Sequence, residues 1–143
     1  MIDLSVLMLT VFYAAFGVLL MIVSNIVIDC FIPGDFAEEI RRGNRAVAWL
    51  SAGSFIGIGE ILRAVIMSSA CETMPADFVQ GVVASAVYAA VGLLCFIAGF
   101  FIINTWHRKY KLAAEIQRGN TAAGIFVFGV FVGLSLVISG AVH

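Results

Sequence analysis

Charge is what this sequence has least of. Only 12% of its 143 residues are charged, while 62% are hydrophobic and the mean hydropathy is +1.09. Soluble domains carry about 25% charged residues, so the chain falls in the membrane class before any local pattern is considered. A net charge of −1 excludes the basic excess that attracts nucleic acid, which is not an expected partner. Cysteine and histidine are also scarce. Cys30, Cys71 and Cys95 form no CxxC pair and no Cys/His cluster with metal-ligand spacing. No metal, cofactor or internal disulfide is therefore expected. His107 lies in a basic connection and His143 is terminal, neither with a nucleophile beside it. Without a spaced acid, base and nucleophile, an enzyme is not expected. Met1-Ile2-Asp3-Leu4 lacks the basic start of a cleavable leader, so the first apolar segment is expected to stay as a membrane helix.

What the sequence has is length without charge. Four apolar segments run from about Leu4 to Ile28, Ala46 to Ser69, Phe78 to Thr105 and Thr121 to Val142. Each reaches the roughly 20 residues that cross a hydrocarbon core as a helix. In lipid the backbone must satisfy its own hydrogen bonds, which selects helix for all four. Arg41, Arg42, Arg45, Arg108, Lys109, Lys111 and Arg118 gather at the first and third connections, seven of the eight basic residues. The positive-inside rule places those connections in the cytoplasm and both termini outside. Trp49 and Trp106 fall near the same boundary, where indole rings favour the headgroups.

The sequence is also written twice. Glu39-Ile40-Arg41-Arg42-Gly43-Asn44-Arg45-Ala46 returns 76 residues later as Glu115-Ile116-Gln117-Arg118-Gly119-Asn120-Thr121-Ala122. The match continues as Gly53-x-x-x-Gly57 and Gly129-x-x-x-Gly133. The expected architecture is an all-α, integral membrane four-helix bundle made of two tandem hairpins, residues 1–70 and 71–143, within one membrane domain. Two spans per repeat return the chain to its starting side, so the copies share one orientation.

Each motif reads as a corner. A short surface helix, with Phe36, Ala37 and Ile40 or Leu112, Ala113 and Ile116 toward lipid, ends at Gly43 or Gly119 in a left-handed conformation. Asn44 or Asn120 then caps the following span, and Glu39 or Glu115 can pair with the nearby arginine or with another loop. The corner either serves as a turn, docks a cytosolic partner or lines a pore entrance. The paired glycines Gly53, Gly57, Gly129 and Gly133 predict close packing of the second and fourth spans, with each other or across an oligomer.

One polar feature lies inside a span. Glu60 and Arg63, three residues apart and on one helix face, form a candidate intramembrane site. They either neutralise each other or leave Glu60 facing a hydrated path. Their counterparts in the second copy are Leu136 and Ser139.

Glu-Ile-x-Arg-Gly-Asn-x-Ala before a glycine-spaced apolar helix, twice, resembles the bacterial domain-of-unknown-function family 350 across essentially the whole chain. That resemblance implies a small inner-membrane protein of two two-span units and carries no catalytic residues. The expected function is a non-enzymatic, oligomeric inner-membrane subunit that anchors or senses through its cytoplasmic loops. Its partners are the lipid bilayer, other copies of the chain and a cytosolic protein. The alternative is an oligomeric ion or proton channel or transporter with Glu60 in its conduction path.

Overall fold

The computed structural model describes residues 4–31, 34–70, 78–106 and 112–142. Cys71, His107, Arg108, Lys109, Lys111 and His143 lie outside the described residues. Within those that are described, six helices follow one another: α1 (Leu4–Phe31), α2 (Phe36–Arg41), α3 (Arg45–Ala70), α4 (Phe78–Trp106), α5 (Leu112–Gln117) and α6 (Thr121–Val142). No strand occurs among the described residues. Four of these helices are long and apolar enough to cross a membrane, over Val6–Cys30, Arg45–Ser68, Val79–Trp106 and Thr121–Val142. The protein is thus an all-α membrane helical bundle, because only helices satisfy so long an apolar backbone internally.

The second long helices of the two repeats, α3 and α6, form the central pair. Glycine lets their backbones meet. A Cβ at Gly53 would stand 2.8 Å from Phe128 Cα, and one at Gly124 would stand 2.5 Å from the Ala46 carbonyl oxygen. At Gly57 a Cβ would meet the Phe96 ring at 2.8 Å and the Phe131 carbonyl oxygen at 3.1 Å. Helix α4 lies across both members of the pair. Gly92 admits Ile61 of α3, and Gly99 admits Leu134 of α6. Phe96, Phe100 and Phe131 fill the centre, with Phe96 stacked on Phe131 at 4.7 Å and Phe100 tilted against it at 5.2 Å. Helix α1 is the most peripheral. Its buried positions are Tyr13, Ser24 and Ile28, it packs mainly on α3, and most of its length stays on the surface.

Two expectations need correction. The close packing of α3 on α6 is present through Gly53 and Gly57, but within the protomer Gly129 and Gly133 have open space around them and take no part in it; Gly124, which lies outside the repeated glycine pair, makes the close approach from α6 instead. The reason is that α6 turns a different face to α3 than α3 turns to α6. The short helices also differ. Leu112 and Ile116 of α5 are buried in the protein core rather than turned to lipid, whereas Ala37 and Ile40 of α2 are exposed.

Candidate functional site: the paired corners and the intramembrane ion pair

Helix α2 begins at Asp35, whose Oδ1 accepts from the Glu38 amide at 3.1 Å. Asp29, near the end of α1, accepts from the Phe36 amide at 3.2 Å and so ties the connection to the span before it. The end of α2 is decided by Gly43, at φ +82°. Its N–H donates to the Ile40 carbonyl and the Asn44 N–H to the Glu39 carbonyl, each at 2.9 Å. That two-bond pattern is a Schellman cap, which needs a left-handed residue and favours glycine there. Gly119, at φ +83°, repeats it: its N–H donates to Ile116 and the Asn120 N–H to Glu115, each at 3.0 Å.

The asparagine serves two helices at once. Asn44 Oδ1 accepts from the Ala46 and Val47 amides at 3.1 and 3.3 Å, capping α3. Its Nδ2 donates to Glu39 Oε2 at 2.9 Å. Asn120 does the same for α6, accepting from Ala122 and Ala123 at 3.2 and 3.4 Å and donating to Glu115 at 3.0 Å. The glutamate closes the corner by an ion pair with the arginine three residues on, Glu39 to Arg42 at 3.5 Å and Glu115 to Arg118 at 3.2 Å. The carboxylate, the cation, the left-handed glycine and the bridging amide that the copies share thus each hold part of the same corner.

The corners also touch. Asn44 Nδ2 donates to the Ile116 carbonyl of α5 at 3.1 Å. An end carbonyl of one repeat's surface helix, which already accepts from Gly119, thus takes a second bond from the other repeat. Sequence spacing carries no sign of this bond. Beside α2 a groove of about 320 Å³ opens among α1, α2 and α3, walled by Ile26, Phe36, Ile40 and Phe55, with Asn25, Asp29 and Ser51 as its polar lining. Nearby, Ser54 donates to Asn25 Oδ1 at 2.8 Å and joins α3 to α1.

Within the bundle, Arg63 grips Glu60 with both arms of its fork, Nε to Oε2 at 2.9 Å and Nη2 to Oε1 at 2.7 Å. Its remaining nitrogen, Nη1, lies 3.2 Å from Met67 Sδ. Ser139 Oγ of α6 donates to Glu60 Oε1 at 3.1 Å. Both carboxylate oxygens are engaged, and a bidentate pair is the strongest geometry available to these groups. In the sequence Ser139 stands out only as the counterpart of Arg63. Among the described residues, no group of three or more His, Cys, Asp or Glu side chains converges.

Residues 1–142 match the family described as Domain of Unknown Function (DUF350). The chain is 30% identical over 105 residues to the UPF0719 transmembrane protein YshE of Bacillus subtilis (strain 168), a match covering 73% of this chain and 71% of that protein. It is 24% identical over 108 residues to a UPF0719 transmembrane protein of Aquifex aeolicus (strain VF5), covering 76% of this chain but only 38% of that longer relative. No solved structure matches it.

Proposed function

The chain belongs to the DUF350 family, and from that footing we propose that it is a non-enzymatic, oligomeric inner-membrane subunit that anchors or senses through its corner face. The observation that carries this reading is the bond from Asn44 to the Ile116 carbonyl. It ties the two corners into one polar platform on which Arg41, Arg42 and Arg118 are exposed. A platform held at both ends by Schellman caps is a rigid surface for a protein partner. Seven of the eight basic residues fall in the first and third connections of the sequence, which supports a cytoplasmic platform with the termini outside.

Conduction through Glu60 has less support. A carboxylate whose charge is matched by a bidentate Arg63, with one oxygen also held by Ser139, has three of its roughly four acceptor sites taken and little charge left to draw a passing cation. The anchoring role is tested with photo-crosslinking side chains placed at Arg41 and Arg118 in native membranes. Both positions should capture the same cytosolic protein, and the Gly43→Val variant, which strains the corner, should reduce capture at each. Capture of no protein from either position removes the reading.

A further inference from the structure

The contact between α3 and α6 joins two unlike faces of one repeated helix. Ala46 meets Gly124, Gly53 meets Phe128, Gly57 meets Phe131, and Glu60 meets Ser139. In the first repeat the counterparts of Gly124, Phe128, Phe131 and Ser139 are Ala48, Ala52, Phe55 and Arg63. Taken as sets, these are centred roughly 130° around the helix from Ala46, Gly53, Gly57 and Glu60, at 3.6 residues per turn, and the two faces come nearest at Glu60 and Arg63. A contact of this kind is heterologous: each repeat has one face of each kind, and a single contact uses only one from each.

Both unused faces are on the surface. Ala122, Gly129, Gly133 and Leu136, the counterparts of Ala46, Gly53, Gly57 and Glu60, are all exposed. Ala48, Ala52, Phe55 and Arg63 are all exposed as well. The corners show the same imbalance. Ile116, which accepts from Asn44, is 3% exposed, and its counterpart Ile40 is 43% exposed. Asn120, the counterpart of Asn44, has Glu115 as its amide's sole acceptor among the described residues. The groove beside α2 completes the pattern. Phe36, Ile40 and Phe55 line it, while their counterparts Leu112, Ile116 and Phe131 are buried.

We infer that a second copy of this chain fills these places by repeating the contact already made inside the chain. The Ala122, Gly129, Gly133 and Leu136 face of one copy packs on the Ala48, Ala52, Phe55 and Arg63 face of the next. Phe126, the counterpart of the buried Leu50, enters the groove, and the Asn120 amide donates to the next copy's Ile40 carbonyl. Small residues on both faces let the helices approach where bulky ones would leave lipid between them. The partners inside the chain lie within three residues of equal depth. One repeat is therefore carried onto the other by rotation about the membrane normal with little translation. Repeating that operation in a bilayer closes a ring rather than extending a filament.

This inference rests on the oligomeric part of the proposed function, and disulfide trapping separates the two. In a chain with Cys30, Cys71 and Cys95 replaced by Ala, Ala48→Cys and Ala122→Cys are placed on separately tagged copies, co-expressed and oxidised in native membranes. The expected result is a mixed disulfide dimer, no dimer from either variant alone, and from the double variant a ladder ending at one closed size. Ala52→Cys with Gly129→Cys, matching the Phe128–Gly53 contact, is the second pair and should give the same pattern. Failure of both pairs while an amine crosslinker still traps oligomers overturns the interface and leaves assembly standing. Ala122→Cys dimers as abundant as mixed ones show a self-complementary interface and overturn it too. Monomers under every condition overturn the assembly itself.

Discussion

Ser139 donates to Glu60 across the α3–α6 contact, 3.1 Å from oxygen to oxygen, and it does so from the position that Arg63 holds in the first repeat. One locus of the duplicated helix thus serves the same carboxylate twice, once as a cation on its own helix and once as a hydroxyl from the neighbouring one. Two positions of the repeated pattern thereby form a three-residue polar cluster, Glu60 from one and Arg63 with Ser139 from the other.

The order of stability among variants of that cluster follows from which charge is left alone. Glu60→Leu strands the Arg63 guanidinium in the bilayer and should be the most damaging single change. The double variant Glu60→Leu with Arg63→Ser installs the pair found in the second repeat, Leu136 and Ser139, and should recover most of the loss. Ser139→Ala removes one of three bonds to Glu60 and should be the mildest. Thermal unfolding in detergent ranks the three, and a double variant no more stable than Glu60→Leu alone would refute the ordering.

Glycines alike in sequence should differ in consequence. Gly124→Ala drives a methyl to 2.5 Å from a backbone oxygen and 2.7 Å from the Ala46 Cα, neither of which is a flexible side-chain end. A loss of about 1–3 kcal/mol is expected from such overpacking. Gly129→Ala and Gly133→Ala meet open space within the protomer. In the dispersed monomer they should be neutral or stabilising by up to about 1 kcal/mol, the helix-propensity gain. Denaturation of detergent-solubilised monomer separates the two classes.

The two asparagines should likewise be unequal. Asn120→Ala removes an N-cap, which costs about 1 kcal/mol. Asn44→Ala removes the equivalent cap and also the bond to Ile116, so in the monomer it should cost about 0.5–1.5 kcal/mol more, the net value of one hydrogen bond. Equal losses in chemical denaturation would show that the bond between the corners contributes nothing.

Gly43→Ala and Gly119→Ala place a Cβ in left-handed backbone, at φ +82° and +83°. Each should cost about 1–2 kcal/mol. Hydrogen exchange should show the loss first in the amides of Asn44 and Asn120, which close the Schellman caps.

Transport through Glu60 has its own measurement. Liposomes bearing wild-type protein or Glu60→Gln should show the same background cation and proton flux. A wild-type flux that Glu60→Gln abolishes would reverse the proposed function.

By itself the sequence determined the four spans, since a run of more than about 20 apolar residues has no other way to satisfy its backbone in lipid. It also determined the corners. Left-handed glycine, capping asparagine and ion-paired glutamate sit within one short stretch of chain, and interactions that local are encoded by spacing. The tertiary structure alone decided which faces of the repeated helix meet. Identical stripes, Gly53 with Gly57 and Gly129 with Gly133, end one buried and one open. Two copies of one helix can join through unlike faces, and no periodicity records which face is used. The same choice, made 79 residues apart in the chain, brought Ser139 to Glu60. It also left the second repeat with a free face like the one the first repeat has already used.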